Sequence, residues 1–121
     1  MKLLKLQHDG EVSIAIGKSR RDTRWKNKFL QWSALVDKLS TPTRTRETFG
    51  EYTKMSKDQQ SQIRDVGGFV GGVVKDGRRK TGNVAWRSLI TLDADFVDPT
   101  FIDMVPLLFG NAMAIYSTHS H

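Results

Sequence analysis

Four glycines in eight otherwise apolar residues make Gly67-Gly-Phe-Val-Gly-Gly-Val-Val74 the most constraining stretch of this chain. Valine and phenylalanine favour a strand, while each glycine leaves a gap where a side chain would stand. The segment is therefore expected to be a strand that another backbone or a ligand approaches closely, close packing being the simpler of the two. Lys75-Asp-Gly77 then reads as a tight turn, and Arg78-Arg-Lys-Thr-Gly-Asn83 as a basic loop with turn chemistry at its end.

The elements before it follow from period and punctuation. Val12 to Ile16, between Gly10 and Gly17, reads as a short strand. Gly17-Lys18-Ser19 supplies the last letters of a phosphate-binding P-loop, but that loop needs a glycine where Val12 stands, which excludes an NTPase loop here. Trp25, Phe29, Trp32, Val36 and Leu39 recur at helical spacing, predicting a helix over 25–39 with both tryptophans in the core. A start at Ser33 as N-cap competes, with 25–32 as an extended lead-in; base stacking by the tryptophans is the alternative to core packing. Ser40-Thr-Pro-Thr43 is a turn, and 46–55 a short polar helix interrupted by Gly50. Ser56 and Gln59 match a capping box opening a helix over about 57–66.

A chain of 121 residues without cysteine folds as one domain without disulfides or a thiolate zinc site, as suits a reducing compartment. No apolar run approaches the length that spans a bilayer, and the N-terminus lacks a signal-peptide core, so a cytoplasmic location away from membranes is expected. The net charge of +6 and pI of about 9.8 come mostly from the first two-thirds, in Lys18, Arg20, Arg21, Arg24, Lys26 and Lys28, then Arg44 and Arg46, then Lys75 and Arg78 to Lys80. Such a surplus favours a polyanionic partner, although it also keeps a small domain soluble. Acidic residues gather elsewhere, as Asp93, Asp95, Asp98 and Asp103.

Ser88 to Leu92 reads as a buried strand ending in Asp93-Ala94-Asp95. Side chains two apart on a strand share a face, so both carboxylates would converge on one cation. Asp98-Pro99 opens a helix over 99–109, kinked at Pro106 and ended by Gly110-Asn111, and 111–116 is a second strand. A strand, helix, strand unit of this length implies two parallel strands joined by a right-handed crossover. Ser117, His119 and His121 would then emerge at the same sheet edge as Asp93 and Asp95, where open α/β sheets bind ligands. Two carboxylates suit magnesium or manganese, whose shell substrate phosphates complete, and the hydroxyl and imidazoles suit a triphosphate. Asp-x-Asp is also an ordinary turn starter, and a terminal His-Ser-His also an ordinary tail.

The stretches Asp65 to Gly72, Arg78 to Lys80, Asn83 to Asp95 and Tyr116 to His121 together resemble the N-terminal primase region of phage and prophage replication proteins of the virulence-associated E or primase–helicase type. These are similar to the archaeo-eukaryotic primase superfamily. The resemblance implies an α+β fold on a partial RRM-like sheet with flanking helices. It implies Asp93 and Asp95 as the catalytic, metal-binding pair for magnesium or manganese, and Ser117 with His119 or His121 as the nucleotide-binding motif. It further implies DNA template and nucleoside triphosphates as partners, a helicase domain in the same full-length chain, and a third acidic ligand further on. On that reading the chain is the N-terminal fragment of a larger primase domain, inactive by itself. Arg78, Arg79, Lys80 and Arg87 would approach nucleotide or template phosphates. A non-catalytic nucleic-acid-binding module with working basic loops is the alternative, and a nucleotide-sugar Asp-x-Asp site is the third.

Overall fold

The computed structural model describes residues 2–3 and 9–117 of the chain. Its strands are β1 (Lys2–Leu3), β2 (Glu11–Gly17), β3 (Lys26–Gln31), β4 (Gly68–Val70), β5 (Gly72–Val74), β6 (Val84–Arg87) and β7 (Ala114–Ile115). Its helices are α1 (Trp32–Ser40), α2 (Phe49–Thr53), α3 (Lys57–Arg64) and α4 (Phe101–Leu108). This is an α+β fold whose described strand pairs are all antiparallel: β3-β2-β4, β5-β6 and β1-β7. No described helix is long and apolar enough to cross a membrane.

β2 is the centre. Its alternation places Ser13 and Ala15 on one face, where Ala15 packs with Trp25 and Val74 under Val70 and Val84. The other side chains of β2 include Ile14, 1 % exposed, while α1 buries Leu35 and Val36. β3 pairs with β2 over six residue pairs, from Glu11 with Gln31 to Ile16 with Lys26. The helical spacing from Trp25 to Leu39 therefore straddles a junction: Trp25 precedes β3, Phe29 lies within it, and only Trp32, Val36 and Leu39 belong to a helix. The extended lead-in was the correct alternative, but the cap differs. Gln31 occupies the N-cap without a side-chain bond, and Asp9 takes over its task by accepting from the Ser33 amide at 2.9 Å and the Ser33 hydroxyl at 2.5 Å.

The capping box at Ser56 and Gln59 forms as expected, and a second one at Thr48 and Glu51 opens α2. The glycine-rich run does bring backbones together, but as two strands split at Gly71. A side chain on Gly72 would sit 2.1 Å from the Trp86 carbonyl oxygen. β4 extends the β2 sheet, whereas β5 pairs with β6 across a bulge at Val73/Val74.

The largest departure lies after β6. Residues 88–95 form no strand, the strand lying instead at Val84–Arg87. Both the Ser88 and Leu89 amides donate to the Gly71 carbonyl, at 2.9 and 3.1 Å, which closes the ladder. The apolar residues that follow have no described neighbour to pair with, and Ile90 and Leu92 are exposed. The parallel crossover is likewise absent from the described residues: β6 belongs to the β5 sheet, while β7 pairs antiparallel with β1. α4 starts at Phe101, because Asp98 turns back to accept from the Thr100 amide and hydroxyl at 2.8 and 2.7 Å.

Candidate nucleic-acid interface

The turn between β2 and β3 is held by its own acids. Asp22 accepts from the Lys18 amide at 2.6 Å and the Ser19 amide at 3.3 Å. Asp65 accepts from the Arg20 amide at 2.8 Å and the Ser19 hydroxyl at 2.6 Å, and that hydroxyl in turn accepts from the Arg21 amide at 3.1 Å. Four consecutive amides that a phosphate-binding loop would offer are thus already engaged, which agrees with the missing glycine at Val12. The Ser19 hydroxyl and the Arg20 amide hold the Asp65 carboxyl below its usual range against an opposing effect of desolvation, with a lesser contribution from the Arg20 charge. What projects from this turn is cationic: Lys18, Arg20, Arg21 and Arg24 are exposed.

The second basic segment is equally constrained. Asp76 and Gly77 take left-handed backbone angles, φ 53° and 63°, to make the turn after β5. The Asn83 side-chain amide donates to the Lys75 and Arg78 carbonyls at 2.9 and 2.8 Å, while its backbone exchanges bonds with Lys75 and Lys80. Arg78, Arg79 and Lys80 therefore project from a fixed loop and are exposed.

These two segments meet. The Trp25 amide donates to the Gly77 carbonyl at 2.6 Å, the Arg79 guanidinium lies 5.1 Å over the Trp25 ring, and an Arg79 nitrogen reaches the Arg20 carbonyl at 3.4 Å. Sequence distance of some fifty residues collapses into one basic ridge along 18–26 and 75–80. Lys28 on β3 stands beside Lys38 on α1, and this contact and like charge hold the Lys38 amine below its usual range. All 19 lysines and arginines lie within the first 87 residues, whereas Asp93, Asp95, Asp98 and Asp103 follow them.

The remaining candidates are more scattered. Arg87 ends β6 opposite Gly72 and is exposed. Asp93 and Asp95 are exposed on the irregular stretch beyond Leu89, whose stem is fixed to β2 by Ser88: its hydroxyl accepts from the buried Ser13 amide at 3.0 Å and lies 2.6 Å from the Ser13 hydroxyl. Ser117 is exposed just after β7. His119 and His121 lie outside the described residues. Among the described residues no group of three or more histidine, aspartate or glutamate side chains is placed to hold a metal ion. An open cleft of about 280 Å³ beside α2 includes none of these candidates.

Sequence reasoning did not assign Phe29 and Trp86 to a site. Their rings face each other at 6.4 Å, tilted by 36°, and both are about half exposed. A tryptophan one place before an arginine in a short strand was the available signal.

A family profile described as the VapE N-terminal domain matches residues 1–121. The chain belongs to the VapE N-terminal domain family. No curated protein and no solved structure matches it. Membership in this family agrees with the virulence-associated E part of the resemblance drawn from residues 65–72, 78–80, 83–95 and 116–121.

Proposed function

We propose that this VapE N-terminal domain grips the phosphate backbone of DNA within a phage or mobile-element replication protein, and that it carries part of a primase-type nucleotidyl-transfer site. The observation that carries the reading is the meeting of Arg79 with Trp25 and Arg20, which merges two basic segments into one exposed ridge. Fixed loops lose little conformational freedom on binding, and phosphate contacts from lysine and arginine release counterions, so such a ridge suits a nucleic-acid backbone.

The catalytic part of the proposal rests on Asp93 and Asp95 and on the family. Two exposed carboxylates fit the chemistry of magnesium or manganese, a hard ion that keeps several waters and takes phosphate oxygens to fill its shell. When bound, the ion would stabilise charge on the oxygens of a phosphoryl displacement. Asp93 and Asp95 would hold it, Ser117 with His119 or His121 would bind the triphosphate, and Arg87 would steady template or nucleotide phosphates. A helicase domain and a further acidic ligand in the longer chain belong to the same proposal.

Primer synthesis by the longer protein on single-stranded DNA tests this part, with Asp93→Ala as the comparison. The proposal expects metal-dependent product that the substitution abolishes. Undiminished product from Asp93→Ala would remove that residue from the chemistry.

A second reading, a non-catalytic basic module, is favoured by the position of Asp93 and Asp95 outside any strand and outside any described group of three acids or histidines placed to hold a metal ion. It expects DNA binding that Asp93→Ala leaves intact, and no displacement of the Asp93 and Asp95 carboxyl resonances by millimolar magnesium or manganese.

A further inference from the structure

Two aromatic rings stand half exposed beside a ridge whose other large aromatic, Trp25, is only 6 % exposed. Phe29 is 56 % and Trp86 50 % exposed, yet each is fixed in a paired strand, Phe29 opposite Ser13 and Trp86 opposite Val73. Burial does not explain them. Their rings contact each other at 6.4 Å between centroids, and both residues remain about half exposed.

Their position relative to the ridge follows from the strands. β3 leaves the ridge at Trp25, whose amide is bonded to Gly77, and β6 leaves it at Asn83, which closes the basic loop. At the rise of an extended strand, Phe29 lies about 13 Å and Trp86 about 10 Å along these two paths. A basic track ending at an aromatic platform is the combination that binds single-stranded nucleic acid, because cations follow the phosphates while any base can stack on a ring. A duplex offers no free base face to such rings.

We infer that Phe29 and Trp86 form a stacking platform for the bases of single-stranded DNA whose phosphates lie on the ridge, an inference that rests on the DNA-binding reading above. Phe29 and Trp86 give the preference for unpaired bases; Arg78, Arg79 and Lys80 give the charge-dependent affinity.

Fluorescence anisotropy separates these roles, using labelled oligothymidylate, an abasic strand of equal length and a duplex. The unaltered chain should bind oligothymidylate about five- to a hundredfold more tightly than the abasic strand. Trp86→Leu should erase most of that difference while leaving abasic-strand affinity unchanged, and Trp86→Phe should restore part of it. Because Trp86 is half exposed, circular dichroism should show both variants folded. Equal affinity for the base-bearing and abasic strands, a preference unchanged by Trp86→Leu, or tighter binding to the duplex would overturn the platform while leaving the ridge standing. Binding of neither strand would overturn the ridge, and the platform with it.

Discussion

The guanidinium of Arg79 lies 5.1 Å over the ring of Trp25, joining the loop after β5 to the turn after β2. A planar, weakly hydrated cation suits this place better than an ammonium, since it both stacks and keeps donors free for phosphates. Arg79→Lys is therefore expected to lose most of the stacking contribution, about 0.5–1 kcal/mol at an exposed site. Urea unfolding should show Arg79→Lys and Arg79→Ala destabilised alike; a lysine variant as stable as the parent would contradict the stacking role.

Gly17 lies directly beneath the same indole. A methyl group there would stand 2.3 Å from the Trp25 ring, and that ring belongs to the core with Ala15 and Val74. Gly17→Ala should destabilise by about 1–3 kcal/mol through overpacking, measured as a lower urea midpoint. A variant of parental stability would show that the ring can shift freely.

Ser88 secures the edge of β2 at Ser13, opposite β3, that β4 does not reach. Its hydroxyl accepts from the Ser13 amide, and Ser13 is 1 % exposed. Ser88→Ala leaves that buried donor without its acceptor, at an expected cost of about 1–3 kcal/mol. Amide exchange at Ser13 should accelerate accordingly, whereas exchange at Trp25, whose amide donates to the Gly77 carbonyl, should change less.

Asp65 links the ridge to acid stability. The Ser19 hydroxyl and Arg20 amide hold its folded carboxyl below the usual value, so its contribution is present above the unfolded pKa of about 3.9 and is lost as pH falls through the lower folded value. Asp65→Asn should thus be less stable than the parent at neutral pH, with the gap closing below about pH 4. Asp9 and Asp98, also held low by hydroxyl and amide donors, titrate in both proteins and cancel in the comparison. A gap that stayed constant from neutral to strongly acidic pH would contradict this linkage.

What could be read in the sequence was mostly local. The Ser56–Gln59 box and the turn at Asp76-Gly77 depend on neighbours within a few residues, and both form; the strand around Ile14 forms as well, because β3 and β4 flank it. The stretch Trp25 to Leu39 misled because a strand and a helix in succession happened to repeat the spacing of one helix. Ser88 to Leu92 misled for a different reason: an apolar run becomes a strand only beside a partner, and Gly71 uses its carbonyl to end the ladder instead. The same dependence removed the argument that placed Ser117 beside Asp93 and Asp95. The basic residues were legible singly, but their convergence was not, since nothing local in Trp25 announces Gly77 or Arg79.

The central claim is that the ridge binds DNA through its phosphates, and the salt dependence of single-stranded DNA affinity tests it most directly. The logarithm of the binding constant should fall linearly with the logarithm of salt concentration, and neutralising Arg78, Arg79 and Lys80 together should lower the slope by roughly 0.7 for each phosphate contact removed. An affinity and a slope unchanged in that triple variant would contradict the account.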